Sequence, residues 1–263
     1  MSALATRILD LPGGRGLLLF ERNLLSYKEM WTIILSGFFE PLFYLLALGY
    51  GLGGYVGDVS VDGVTLDYAV FIAPGLLAAS AMNGAFYDAT NVFWKMRYQK
   101  LYDSILSTPL SPKDVAAGET AWAVFRGLIY AVGFFIVILA LGLVESWWAV
   151  LALPATVFLA FAFAGAGIAA VTFMRSWQDF DILNLAILPM FLFSATFFPL
   201  STYPGWLEAA IRATPLYHGV ELLRALTTGA VGPAQLVNVG YLAVLGLAGT
   251  WIASRRVEKL LLT

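Results

Sequence analysis

Apolar residues in this chain gather into six long runs separated by short charged or proline-rich connections. The runs cover roughly Trp31–Tyr50, Tyr68–Trp94, Val115–Leu143, Trp147–Met174, Phe180–Leu200 and Leu236–Ala253. A helix needs about 20 mostly apolar residues to cross the hydrocarbon core of a bilayer. Each run is close to that length or longer, so the pattern predicts six transmembrane helices. Pro74, Pro154 and Pro189 fall inside runs; they are tolerated in membranes because neighbouring helices repair the freed backbone groups. Trp31, Trp94, Trp147, Trp148 and Trp251 fall near run ends, where interfacial anchors belong.

Three shorter patterns flank the runs. Leu17, Phe20, Leu24, Tyr27 and Trp31 repeat at helical spacing, with Glu21, Arg22, Asn23, Ser26, Lys28 and Glu29 on the other side. This predicts an amphipathic helix lying in the membrane interface. Leu17–Phe20 is too short for the apolar core of a cleavable signal. After the second run, Leu101, Ile105 and Leu106 form an apolar stripe with Lys95, Arg97 and Lys100 before it, and Pro109 and Pro112 stop it. Such a helix can rest on the bilayer or offer its stripe to a partner groove. After the fifth run, Ser201–Leu226 holds two short helical patterns hinged at Pro215. Neither is long enough to span, and both can dip into the outer leaflet if protein covers the backbone between them.

Composition agrees with the pattern. Of 263 residues, 60% are hydrophobic and 12% charged, against about 25% charged in a soluble domain. A net charge of −2 leaves no nucleic-acid footprint. Without cysteine there is no disulfide framework, and one histidine makes a histidine-based metal site a poor expectation. The basic residues are distributed unevenly. Arg7, Arg15, Arg22, Lys28, Lys95, Arg97, Lys100, Lys113, Arg175, Arg255, Arg256 and Lys259 all fall on one side of a six-span topology. Arg212 and Arg224 fall on the other, beside Asp58, Asp62, Asp67 and Glu145. Both termini are therefore expected in the cytoplasm.

Some charges lie inside the runs: Glu40, Asp88, Glu119, Arg126 and Asp179. An intramembrane charge is costly and usually faces a cavity or a partner. Glu40, Asp88 and Arg126 either line a polar path and gate, or pair helix to helix, as Arg126 would with a carboxylate; Glu119 and Asp179, with Asp181, are expected close enough to water to need no special role. His218 sits in the external hairpin with no nucleophile, cysteine or second histidine near it in sequence; a hydrogen-bonding role is expected.

Two stretches, "YDSILSTPLSPKDVAAGE" and "FLFSATFFPLSTYPGWLEAAIRATPLYHGVELLRAL", resemble the permeases of type-2 ABC exporters, the ABC-2 family. The likeness is nearest to the nodulation-protein-J-like and daunorubicin-resistance-like branch, which exports lipo-oligosaccharides, drugs and glycolipids. It covers nearly the whole chain. It implies an all-α membrane protein of the type V (G-type) exporter fold. Residues 1–30 would hold an amphipathic connecting helix, 31–253 the six-helix domain and 254–263 a cytoplasmic tail. Residues 97–108 would form a coupling helix that meets an ABC ATPase through Tyr98, Leu101, Tyr102, Ile105 and Leu106. Phe20, Arg22 and Leu24 of the connecting helix would touch it too. Residues 202–228 would be extracellular re-entrant helices. Spans two and five of two permeases, a second copy or a paralogue, would line the export path. Its residues would be Ala79, Met82, Asn83 and Phe86, with Met190, Phe193, Ser194 and Phe197. A greasy, aromatic path suits an amphipathic or lipid-linked cargo. One departure stands out: family members often carry Ser-Gly before Thr196, and this chain carries Ala195.

The chain has no glycine-rich phosphate loop followed by lysine and Ser/Thr. ATP and Mg are therefore expected in a partner subunit, and this chain is expected to need no cofactor and to be no enzyme. Two other classes stay open. An intramembrane enzyme needs a nucleophile, base or metal cluster at one depth, and the carboxylates here are scattered. A secondary carrier often shows inverted repeats, and none is evident.

Overall fold

The computed structural model describes residues 14–27, 39–61 and 63–261. Residues 31–38 of the first expected span lie outside them, as do Lys28, Glu29 and Trp31 of the expected interfacial helix. Helix α1 (Gly16–Tyr27) comes first. Residues 39–44 are helical and continue into a π-helical segment, Leu45–Leu52, then α2 (Gly53–Val56). A hairpin of β1 (Val59–Val61) and β2 (Val64–Leu66) follows, with Val59 opposite Leu66. This hairpin is a departure from the all-α expectation, confined to one short connection.

Helix α3 (Tyr68–Arg97) is the centre of the bundle. Asp67 caps it by accepting from the Ala69 amide at 2.8 Å. Its face is buried almost throughout, and Ala, Gly and Ser at many positions allow neighbours to approach closely. A Cβ added at Gly84 would lie 2.8 Å from Gly127 Cα, and one at Gly127 would lie 2.7 Å from Ala81 O. Backbones therefore touch there.

Helix α4 (Leu101–Leu106) is a single short turn-and-a-half, entered through Lys100 at φ 48°. Pro109 follows its end. Pro112, expected to stop this helix, instead opens α5 (Pro112–Ala140), where Ser111 and Asp114 form a reciprocal capping box. A 3-10 turn, Trp147–Leu151, leads into α6 (Ala152–Val171).

The fifth run departs most from expectation. Helix α7 (Asp179–Phe193) stops well short of Leu200. Its 15 residues rise about 22 Å, less than the ~30 Å hydrocarbon core. Ala195 at φ 55° ends it, and Pro199 precedes a 3-10 turn, Leu200–Thr202. Helix α8 (Gly205–Arg212) lies on the surface, with Trp206 exposed. Helix α9 (Pro215–Thr228) starts at the expected hinge and sinks into the bundle: Leu216, Val220, Leu222 and Leu223 are buried. Helix α10 (Ala234–Leu261) runs beyond its apolar stretch through Arg255, Arg256 and Lys259.

Among the described residues, four helical segments are long and apolar enough to cross a membrane. They are Tyr68–Arg97, Pro112–Ala140, Trp147–Val171 and Ala234–Leu261.

Candidate functional site

Two features stand out: a buried charge ladder at the basic end of the bundle, and a cleft beside α3 and α7.

The ladder begins with close packing. A Cβ at Gly118 of α5 would lie 2.6 Å from Gly16 O, and one at Gly16 would lie 2.8 Å from Gly118 N. Two glycines thus let α1 dock on α5 at backbone contact. The docked face is not the expected one. Gly16, Leu19 and Asn23 are buried, whereas Leu17 and Leu24 are exposed. Asn23, expected on the polar side, is drawn inward because buried partners await it.

Those partners are charged. Lys95 Nζ of α3 forms a 2.6 Å ion pair with Glu119 Oε2 of α5 and donates to Asn23 Oδ1 at 3.3 Å. Asn23 Nδ2 donates to Glu119 Oε2 at 3.2 Å. Tyr102 of α4 donates its hydroxyl to Glu119 Oε1 at 3.0 Å. Three elements therefore converge on a carboxylate carried by a fourth. Glu119, expected close enough to water to need no role, is instead buried, because Lys95, Asn23 and Tyr102 close over it. Two turns further along, Arg126 pairs with Asp88 at 2.7 Å and donates to the Tyr130 hydroxyl at 2.8 Å. Its guanidinium lies 5.1 Å from the centre of the Tyr27 ring. Asn91 bridges Tyr27 and Asp88 at 3.4 Å each.

The two pairs form a ladder because both helices repeat charges seven residues apart. Asp88 and Lys95 share a face of α3, and Glu119 and Arg126 share a face of α5. The helices run antiparallel, so each acid meets a base. Buried pairs of this kind offset their desolvation only when hydrogen bonds satisfy the remaining atoms, which Asn23, Tyr102 and Tyr130 help to do. Burial, together with the nearby negative charge of Asp88, pushes the Tyr27 phenol up to about 12. Burial and Glu119 push the Tyr102 phenol up as well.

Tyr102 is buried and points at the bundle. Leu101 and Ile105 pack partly against the same inner cluster, and Leu106 is half-buried. Tyr98 is exposed and stacks on Trp94, with ring centres 4.5 Å apart. The outer face of α4 is instead Asp103 and Ser104, followed by Ser107 and Thr108. On α1, Arg22 and Leu24 are exposed, and Phe20 is held between Trp122 and Phe125.

The cleft has a volume of about 470 Å³ and is lined by Glu40, Met82, Asn83, Tyr87, Asp181, Asn184, Leu185, Ile187, Leu188 and Phe191. Of the expected path, Met82 and Asn83 line it. Ala79 is buried, and Phe86 turns to Gly167 of α6. On α7 the cleft face is Asn184, Leu188 and Phe191 rather than Met190, Phe193 and Ser194. Phe193 meets Tyr203, Ser194 bonds Met190 O, and Phe197 packs on Phe191. Glu40 faces the cleft, whereas Asp88, Glu119 and Arg126 are all paired.

At the opposite end, Arg224 of α9 closes the break after α7. It donates to Ala195 O at 2.6 Å and to Phe71 O at 3.4 Å, and lies 4.2 Å over the Phe71 ring. Irregular backbone at membrane depth needs such cover. His218 bonds Asn238 Oδ1 at 2.7 Å and stacks on Tyr241. Among the described residues, no three His, Cys, Asp or Glu side chains group to hold a metal ion.

A model of the ABC-2 type transporter family matches residues 16–227. The chain belongs to the ABC-2 type transporter family. It is 32% identical to nodulation protein J of Rhizobium leguminosarum bv. viciae over 262 residues, covering 96% of this chain and 99% of that one. It is also 32% identical to nodulation protein J of Rhizobium meliloti strain 1021, over 87% of this chain and 85% of the other. Similarity extends to the inner membrane transport permease YadH of Escherichia coli K12, at 24% identity over 69% and 70% of the two chains. As an ABC-2 permease the chain is a multi-pass transmembrane subunit.

Proposed function

We propose that this permease is the membrane half of an ATP-driven exporter. It passes an amphipathic or lipid-linked cargo outward, and a separate cytoplasmic ABC ATPase binds ATP and Mg. In this reading the transmembrane domain has six spans over residues 31–253 in a type V arrangement, the short α7 being completed as the fifth by the irregular stretch up to Leu200, and both termini face the cytoplasm. Two permeases, identical or paralogous, meet around the path. Helix α4 is the coupling helix, α1 the connecting helix, and α8 with α9 the re-entrant pair.

One observation carries the proposal. Glu119 joins α1, α3, α4 and α5 through Asn23, Lys95 and Tyr102. A push on α4 therefore acts directly on the central helix. The Asp88–Arg126 pair ties the same two helices further along. Helix α3 also lines the cleft, through Met82, Asn83 and Tyr87. Movement of α4 can thus alter the cleft by shifting α3 against α7. This is a two-state element biased from two sites, the physical content of coupling.

The cleft chemistry supports the cargo class. Leu185, Leu188, Met82 and Phe191 supply an apolar wall. Asn83, Asn184, Tyr87 and the carboxylates of Glu40 and Asp181 supply hydrogen-bonding groups. That mixture suits a lipid-like body with a polyhydroxyl or cationic head.

The test is reconstitution of the permease with its cognate ABC ATPase in proteoliposomes. ATP-dependent movement of a labelled amphipathic cargo is expected, and vesicles lacking the ATPase should show none. Transport by the permease alone, driven by an ion gradient, would replace this reading with a secondary carrier.

A further inference from the structure

A further cavity, of about 560 Å³, lies between α5, α6 and α10 and shares no lining residue with the cleft. Its lining changes character along α10. Leu247 comes first, then Thr250 and Trp251, then Ser254, and finally Arg255 and Glu258. These positions follow one stripe of the helix and span about 16 Å of rise. Phe161 of α6 adds to the apolar end, and Lys113 of α5 to the charged end. Among the described residues, none of Lys113, Arg255 and Glu258 has an ion-pair partner within salt-bridge distance.

The surrounding packing holds this shape. The capping box of Ser111 and Asp114 fixes the start of α5, and with it Lys113. A Cβ at Gly165 would lie 2.6 Å from Gly246 O, so α6 and α10 are in backbone contact beside the cavity. The guanidinium of Arg255 lies 5.1 Å from the centre of the exposed Trp251 ring.

We propose that this cavity binds one phospholipid of the leaflet at the basic end, with a headgroup carrying both a phosphate and a primary ammonium. The order of the lining is the order of groups in such a lipid. Acyl chain lies on Leu247 and Phe161, and the ester region lies at Trp251 and Ser254, where tryptophan prefers to sit. The phosphate lies between Lys113 and Arg255, and basic pockets between membrane helices hold lipid phosphates in this way. Glu258 takes the ammonium. Two cations and one carboxylate match this headgroup better than a purely anionic one, which would leave Glu258 facing an anion. The inference rests on the chain being embedded in a membrane and is independent of what it exports.

The experiment is native mass spectrometry of the purified full-length permease after exchange into an equal mixture of phosphatidylethanolamine, phosphatidylglycerol and phosphatidylcholine with identical chains. Preferential retention of one phosphatidylethanolamine is expected. The double variant Lys113→Gln/Arg255→Gln should lower that retention roughly tenfold or more. Glu258→Gln should erase the preference over phosphatidylglycerol. Ser254→Trp, which fills the cavity and keeps its charges, should also displace the lipid. Arg97→Gln/Arg175→Gln removes the same charge elsewhere and should change nothing. Equal retention of the three lipids by the unaltered protein overturns the proposal. So does an equal loss in the control, or full retention in Ser254→Trp.

Discussion

The hydroxyl of Tyr102 and the carboxylate of Glu119 meet at 3.0 Å, joining a six-residue surface helix to the interior of the bundle. Both groups are buried, and Lys95 and Asn23 hold the same carboxylate. A hydrogen bond between buried groups is rigid when its partners are satisfied and costly when they are not. This bond is therefore suited to transmit displacement of α4 without slack.

The cost of breaking it can be measured. Glu119→Gln leaves the buried ammonium of Lys95 without its counter-charge, and loss of one partner of a buried pair costs about 3–5 kcal/mol. Lys95→Met has the same effect in reverse. The double variant Lys95→Met/Glu119→Gln should be less destabilised than the two single losses added together. Thermal unfolding of the purified protein in detergent gives the cycle. Additive losses would mean the pair is not coupled.

Ala195 is the second test. Its φ of 55° lies in the left-handed region, which costs a non-glycine residue roughly 1–2 kcal/mol. Ala195→Gly should therefore raise the unfolding temperature, the gain being partly offset by greater freedom of the unfolded chain. A lowered unfolding temperature would contradict this.

The docking of α1 depends on Gly118 meeting Gly16. Gly118→Leu cannot be accommodated without pushing α1 off α5. The chain contains no cysteine, so Phe20→Cys with Phe125→Cys reports that contact cleanly; the native rings are 5.3 Å apart. A short bifunctional thiol reagent should join the two cysteines in the parent and fail to do so when Gly118→Leu is added.

The Tyr27 phenol gives a pH signature. Its pKa is raised to about 12 by burial first and by Asp88 next, against about 10 in an unfolded chain. A raised folded pKa means that its contribution to stability is complete below pH ~10 and is lost as pH climbs from ~10 through ~12. Tyr27→Phe should flatten the pH dependence of unfolding in that window and leave it unchanged at neutral pH. Tyr102 shifts in the same direction, so part of the slope should persist.

Much of the architecture was legible because long apolar runs and prolines act locally. The runs marked the four long membrane-length helices, and Pro215 marked the start of α9. What was hidden depended on partners distant in sequence. Asn23 reads as polar surface until Lys95 and Glu119 are brought beside it. Periodicity gave the stripe on α1 but not its rotation, which the glycine contact sets. The same holds for Phe86, whose direction is fixed by a gap at Gly167 on another helix. The early end of α7 had a signal in the Ala195 departure, but one residue in an apolar run does not reveal a left-handed φ. The charge ladder was half visible: the seven-residue spacing of Glu119 and Arg126 shows in the sequence, and their partners do not.

The central claim is that α4 is a cytoplasmic lever worked by an ATPase, and Ser104→Cys tests it most directly because Ser104 is exposed on the outer face of α4. This would be the protein's single cysteine. In intact cells a membrane-impermeant maleimide should fail to label it. In inverted vesicles it should label, and a short bifunctional reagent should join it to the cognate ATPase subunit. Labelling from outside intact cells, or an absence of any ATPase crosslink in vesicles that carry both subunits, would contradict the account.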